Sequence, residues 1–133
     1  MVCTYCGGET KVTNSRHQKK SNQVWRRRQC LACGATFSTS EAVDYELAWL
    51  VSKGGKALRP FSRDKLFLSL YDSCAHRKTA LSDARGLTET VISKLTGYLS
   101  NGTLQAGDIA RAAQVALNRF DKAASVHYRA RHP

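Results

Sequence analysis

Acidic side chains are scarce in this chain beside its basic ones. Against 21 lysines and arginines it sets only 10 aspartates and glutamates, a formal charge of +11 over 133 residues. That imbalance favours a polyanionic partner such as nucleic acid. No apolar run approaches the roughly 20 residues needed to cross a bilayer, so no membrane partner is expected. No apolar leader follows the first residue either, and no secretory signal peptide is expected. The chain has no internal repeat and no low-complexity tract. It also lacks a nucleophile–base pair or an acid/base pair, and His17, His76, His127 and His132 are scattered, which argues against an enzyme.

Cysteine, by contrast, is concentrated. Cys3-Thr-Tyr-Cys6 and Cys30-Leu-Ala-Cys33 are two C-x-x-C pairs, each followed by glycine, Gly7 and Gly34. Glycine lets the backbone bend away behind a pair of converging sulfurs. Two such knuckles supply four thiolates, the ligand set of a closed, tetrahedral, structural Zn²⁺ site with one ion per chain. The 23 residues between Cys6 and Cys30 allow an antiparallel excursion that returns the second pair to the first. C-x-x-C pairs of this kind fit a reducing cytoplasm. Cys74 lies in an apolar helical pattern and reads as a small buried hydrophobe.

The expected fold class is α+β. Residues 1–41 read as a zinc ribbon of three short antiparallel strands: 9–14, 23–29 and 35–39, with a polar loop over 15–23. Residues 45–133 read as a second domain. Alternation over Tyr45–Lys53 predicts a half-buried strand with Leu47, Trp49 and Val51 on one side. Gly54-Gly55-Lys56 is a turn, and Leu58–Phe61 returns to complete a β-hairpin. Three to four helices follow. The first is capped by Ser62, the second spans about 82–100 with Leu87, Val91, Leu95 and Leu99 in one stripe, and Asn101-Gly102 ends it. The third opens at 107 or 108 and turns Ile109, Ala112, Ala116, Leu117 and Phe120 inward. The fourth covers 121–130.

Residues 1–41 hold seven cations, Lys11, Arg16, Lys19, Lys20, Arg26, Arg27 and Arg28, against Glu9 and Glu41. The run Trp25-Arg26-Arg27-Arg28 enters the second knuckle directly. Alternate residues of a strand point to opposite faces, so at most two of the three arginines share a surface. Arginine binds phosphate in a bidentate manner and can read guanine in the major groove. Trp25 is open to two readings, stacking on a base or packing in the small ribbon. In the second half, Lys53 and Lys56 flank the glycine turn and Lys65 follows on the next helix, a set able to hold a triphosphate. A glycine hairpin turn between lysines is commonplace, so spacing alone does not decide for a nucleotide.

Taken together, these pieces resemble the NrdR transcriptional repressors. The resemblance rests on the early C-x-x-C, Asn14-Ser15-Arg16, the arginine run, Phe37-Ser38-Thr39 with Glu41, Val51-x-Lys53, Arg59-Pro60-Phe61-Ser62-Arg63-Asp64-Lys65-Leu66 and Phe120-Asp121-Lys122-Ala123-Ala124. It implies a zinc ribbon followed by an ATP-cone-like, nucleotide-sensing and oligomerisation domain. It further implies a sequence-specific repressor of ribonucleotide reductase genes, associated with the bacterial nucleoid, with ATP and dATP setting the state of a homo-oligomer. By position, Cys3, Cys6, Cys30 and Cys33 would hold zinc, and Arg16, Arg26, Arg27 and Arg28 would meet double-stranded DNA, with Lys11 added as a candidate by its charge. Val51, Lys53 and Lys65 would line the nucleotide site, with Lys56 as a substitute phosphate cation. The chain departs from the family at Lys53-Gly54-Gly55-Lys56, where an arginine is missing and Lys56 stands two places later. That departure leaves a second reading: a zinc-ribbon nucleic-acid adaptor whose helical domain binds protein without sensing nucleotide.

Overall fold

The computed structural model describes every residue, Met1–Pro133, and the chain divides into two units, Met1–Val43 and Asp44–Pro133.

The first unit is a three-stranded antiparallel sheet. Its strands are β1 (Thr10–Gln18), β2 (Gln23–Cys30) and β3 (Thr36–Glu41), with β2 in the centre. The polar stretch expected as a loop over 15–23 is mostly strand. Ser15, Arg16, His17 and Gln18 pair with Arg26, Trp25, Val24 and Gln23, and only Lys19–Asn22 turns. Backbone pairing satisfies these residues whatever their side chains, and Asn22 supplies the positive φ of +49° that closes the turn. The register slips by one residue between Val12 and Asn14, a β-bulge at Thr13. Cys3 and Cys30 are the only buried side chains in this unit. A sheet without a buried hydrocarbon core needs another source of stability.

The second unit has such a core. One helical turn, α1 (Tyr45–Ala48), precedes a sheet in which β4 (Leu50–Ser52) pairs antiparallel with β5 (Arg59–Pro60) and parallel with β6 (Thr103–Gln105). Four helices follow the hairpin: α2 (Arg63–Ser73), α3 (Ala80–Leu95), α4 (Ala106–Phe120) and α5 (Lys122–Arg131). Leu70, Val91, Leu95, Leu104 and Leu117 are fully enclosed. Each such side chain contributes about 1.5–3 kcal/mol relative to exposure. Cys74 is buried among them, as expected.

Three expectations for this unit need correction. Tyr45–Ala48 is helical rather than extended, because Asp44 caps the turn through its Oδ1, which accepts from the Leu47 amide at 3.4 Å. Leu47 therefore points outward and is 87% exposed, while Trp49 turns in. Phe120 is not in the core. It is half exposed, and the Arg77 guanidinium sits 4.7 Å above its ring. The second helix ends at Leu95 and continues as a 3₁₀ turn over Thr96–Tyr98 before Asn101-Gly102.

Asp121 ties several helices together. Its Oδ1 caps α5 by accepting from the Ala124 amide at 3.0 Å. Its Oδ2 accepts from Arg77 at 2.9 Å and meets His76 Nε2 at 3.1 Å, while Arg77 also donates to Asp83 at 2.8 Å. The Ala124 amide first, then Arg77 and His76, hold the Asp121 carboxyl below its ordinary range. A depressed folded-state pKa adds stability above the unfolded value, near ~3.9, and that stability is lost as pH falls below it. Asp121→Ala is therefore expected to lower the thermal midpoint at pH 7. The difference from wild type should shrink as pH drops from 5 towards 2, as read by circular dichroism melts at each pH.

Candidate functional site

The site begins with two knuckles of the same build. In each, the amide of the following glycine donates to the carbonyl of the first cysteine, Gly7 to Cys3 at 2.9 Å and Gly34 to Cys30 at 3.2 Å. Both glycines have left-handed backbones, with φ of +75° and +74°. Gly8 is needed for another reason: a Cβ there would lie 3.0 Å from the Ala32 Cβ and 3.2–3.3 Å from the sulfurs of Cys6 and Cys30. The Leu31 amide donates to the Glu9 carbonyl at 2.9 Å and joins one knuckle to the other.

All four sulfurs lie within 4.8 Å of one another. Cys3 and Cys33 are 3.8 Å apart and Cys6 and Cys30 3.5 Å apart, too far for disulfides. A tetrahedron with Zn–S bonds of ~2.3 Å has edges of about 3.8 Å, so the set fits that ion. Backbone amides of Tyr5, Gly8, Ala32 and Cys33 donate to the sulfurs at 3.3–3.4 Å, which favours thiolate. The amides of Cys33 and Ala32 draw the Cys30 thiol down to about 6. The Gly8 amide pulls Cys6 the same way, but the thiols of Cys30 and Cys33 and burial outweigh it and push Cys6 up to about 11. Four thiols in one place cannot all ionise unless a cation joins them.

Strand β2 carries the arginine run into this cluster, and register sorts the cations by face. Arg27 lies opposite Asn14 and Ser38, Trp25 opposite Arg16 and Ser40, and Gln29 opposite Lys11 and Thr36. Lys11, Arg16 and Arg27 therefore share one face, with Trp25 half-buried among them and the Arg16 guanidinium 5.7 Å over its ring. No Asp or Glu of the sheet belongs to that face. Arg26 and Arg28 belong to the other, with Val12, Val24, Phe37 and Glu41. There Arg26 Nη1 donates to Glu41 Oε2 at 2.8 Å and Arg28 Nη1 to Thr10 Oγ1 at 3.5 Å. The structure thus unites three of the five cations expected to meet DNA and separates the other two.

In the second unit, Val51 and Lys65 line a cavity of about 270 Å³, walled by Phe61, Leu66, Ile109 and Tyr128. Lys53 lines a neighbouring cavity of about 450 Å³ with Gly54, Gln105, Gly107, Arg131 and His132. The two share Ala106, Ala110 and His132. Lys56 lines neither. Arg59, Tyr128, Arg131 and His132 are additions, and the last three are ones that spacing does not reveal, since α5 and its C-cap arrive from far along the chain. Of these four, only Arg59 belongs to the Arg59–Leu66 motif.

Residues 1–41 match a family model described as "Transcriptional repressor NrdR-like, N-terminal domain". Over 131 residues the chain is 35% identical to a "Transcriptional repressor NrdR" from Rhodospirillum centenum, covering 96% of this chain and 82% of that one. The chain belongs to the NrdR family. A second NrdR, from Heliobacterium modesticaldum, is 31% identical over 129 residues, 96% of this chain and 84% of that one. The NrdR of Symbiobacterium thermophilum is 36% identical over 99 residues, 74% of this chain and 65% of its own length. The match to the NrdR of Syntrophus aciditrophicus covers 56% of that protein, so such alignments span little more than half to two thirds of the relative.

Proposed function

We propose that the chain is a zinc-held, sequence-specific DNA-binding repressor of ribonucleotide reductase genes, controlled by ATP and dATP. Cys3, Cys6, Cys30 and Cys33 bind one structural Zn²⁺. The metal fixes the end of β2, and Lys11, Arg16 and Arg27 present a preorganised cationic face to double-stranded DNA. The observation that carries this reading is the sharing of that one face by three cations and no carboxylate of the sheet, beside four convergent sulfurs. Val51, Lys53 and Lys65 receive the nucleotide in the second unit, which sets the state of a homo-oligomer and so the affinity for the operator. The protein acts in the bacterial cytoplasm, on the nucleoid.

Gly54-Gly55 and the position of Lys56 outside both cavities favour the alternative, an adaptor that senses no nucleotide. The two readings separate in one experiment. Anisotropy of a labelled duplex taken from upstream of a ribonucleotide reductase gene is followed with no nucleotide, with ATP and with dATP, while oligomer mass is measured in parallel. The repressor reading expects dATP to tighten binding at least tenfold over ATP, with a change in mass. Equal affinity and equal mass in all three conditions would leave the adaptor.

A further inference from the structure

The four sulfurs of the cluster are not equivalent. Cys3 and Cys30 are buried, whereas Cys6 and Cys33, the second cysteine of each knuckle, are open to solvent. Backbone amides divide them further. The Tyr5 amide donates to Cys3 Sγ at 3.3 Å and the Gly8 amide to Cys6 Sγ at 3.4 Å. Cys30 Sγ accepts two amides, those of Ala32 and Cys33, each at 3.4 Å. Cys33 Sγ accepts none. It is the one sulfur of the four that is both exposed and without an amide donor.

In a closed four-sulfur metal site every cysteine is a thiolate, so access and local charge stabilisation rank their reactivity. An N–H donated to a thiolate stabilises its negative charge. That stabilisation is lost as the sulfur shares an electron pair with an electrophile. Cys30, buried with two donors, is the most protected of the four, and Cys33 the least. Cys3 Sγ stands 3.8 Å from Cys33 Sγ, leaving about 1.8 Å to close to an S–S bond of ~2.05 Å. Cys3 is out of reach of an oxidant in solvent but lies beside Cys33, the arrangement of a resolving thiol next to a reactive one.

We propose that Cys33 is an oxidation site: its thiolate reacts first with a hydroperoxide, and Cys3 then closes a disulfide between the two knuckles. The proposal rests on the zinc-bound reading above. With hydrogen peroxide, Cys33 Sγ attacks one oxygen; the S–O bond forms, the O–O bond breaks and hydroxide leaves. Cys3 Sγ then attacks Cys33 Sγ; the S–S bond forms, the S–O bond breaks and a second hydroxide leaves. The two thiolates give up two electrons, and the peroxide takes them. Cys6 and Cys30 alone are too few to complete a tetrahedral site, so the ion is released and the end of β2 at Cys30 loses its clamp. A reducing thiol reverses the disulfide. The cationic sheet thereby becomes responsive to peroxide.

The test uses the zinc-loaded full chain. Samples receive limiting iodoacetamide, or limiting hydrogen peroxide with dimedone as a sulfenic-acid trap, and the modified cysteines are mapped by fragment mass spectrometry. A chromogenic chelator reads the zinc released by peroxide alone. Cys33 is expected to take up label about 2- to 10-fold faster than Cys6, the scale of one hydrogen bond at the reacting sulfur. Dimedone should mark Cys33, and the disulfide formed without it should join Cys3 to Cys33, with zinc released in step. Cys33→His keeps a zinc-competent set of three cysteines and one histidine. It is expected to lose zinc to peroxide about 2- to 10-fold more slowly than wild type, and Cys6→His at a rate within about twofold of wild type. Label falling first on Cys6, or evenly on all four, would overturn the proposal. So would a disulfide within one knuckle, or equal slowing in the two variants. A purified chain without zinc would instead remove the zinc reading itself. The mapping on wild type decides the matter even if neither variant folds.

Discussion

Chelating zinc from the loaded protein is expected to unfold residues 1–43 and leave the helices of 44–133 in place. The first unit buries only Cys3 and Cys30, and its long strand β1 is exposed along nearly its whole length. Nothing in it replaces a metal. Structural zinc supplies about 10–16 kcal/mol to small modules of this type, more than a 43-residue sheet of polar strands can gain from packing. The second unit encloses its own leucine and alanine core and contains no part of the sulfur cluster. Amide spectra should therefore lose the dispersed signals of Thr10–Glu41 on chelation, while ellipticity at 222 nm stays near its starting value. Cys30→Ser should do the same without a chelator, because Cys30 is buried and accepts two backbone amides at its sulfur. Loss of helix and sheet together, or of neither, would contradict this.

Arg27→Ala is expected to weaken operator binding about 5- to 150-fold, the roughly 1–3 kcal/mol that one arginine supplies at a DNA interface. Its guanidinium stands exposed on the face that also holds Lys11 and Arg16, and its one side-chain hydrogen bond is to Thr36 at 3.3 Å. Removing Lys11, Arg16 and Arg27 together should also flatten the salt dependence. Each phosphate left without its cation reduces the log–log slope by about 0.9. Arg26→Ala should cost far less, since that side chain faces the other way and is engaged by Glu41. A titration series over salt concentration gives both quantities. Arg26→Ala weakening binding as much as Arg27→Ala would mean that the duplex does not dock on the Arg27 face.

The sulfur cluster was legible because its signal is local. Two C-x-x-C pairs and the glycines behind them state the geometry within five residues each, and the left-handed Gly7 and Gly34 bear it out. Amphipathic helices with clear caps were legible for the same reason: Ser62 accepts the Lys65 amide at 3.2 Å, and Leu87, Val91 and Leu95 line the buried stripe. The face of each arginine was not legible in full. Alternation says that Arg26 and Arg28 part from Arg27, but which cations of β1 join which face depends on the bulge at Thr13 and on pairing through Gln18. Polar strand residues carry no hydrophobic period to reveal either. β6 was missed because three residues, Thr103–Gln105, are too short for a periodic signal and their parallel pairing with Leu50–Ser52 spans a long stretch of chain. The cavity walls contributed by Tyr128, Arg131 and His132 depend on that same long-range assembly.

Everything proposed for the first unit requires that a metal held by four sulfurs keep a cationic sheet in the shape that docks on DNA. The most direct measurement titrates a chelator into one sample while zinc content and duplex binding are read together. One Zn²⁺ per chain is expected at the start, with operator affinity that falls in proportion to the zinc removed and returns when zinc is restored. Duplex binding that persists undiminished after the last zinc has left would contradict it.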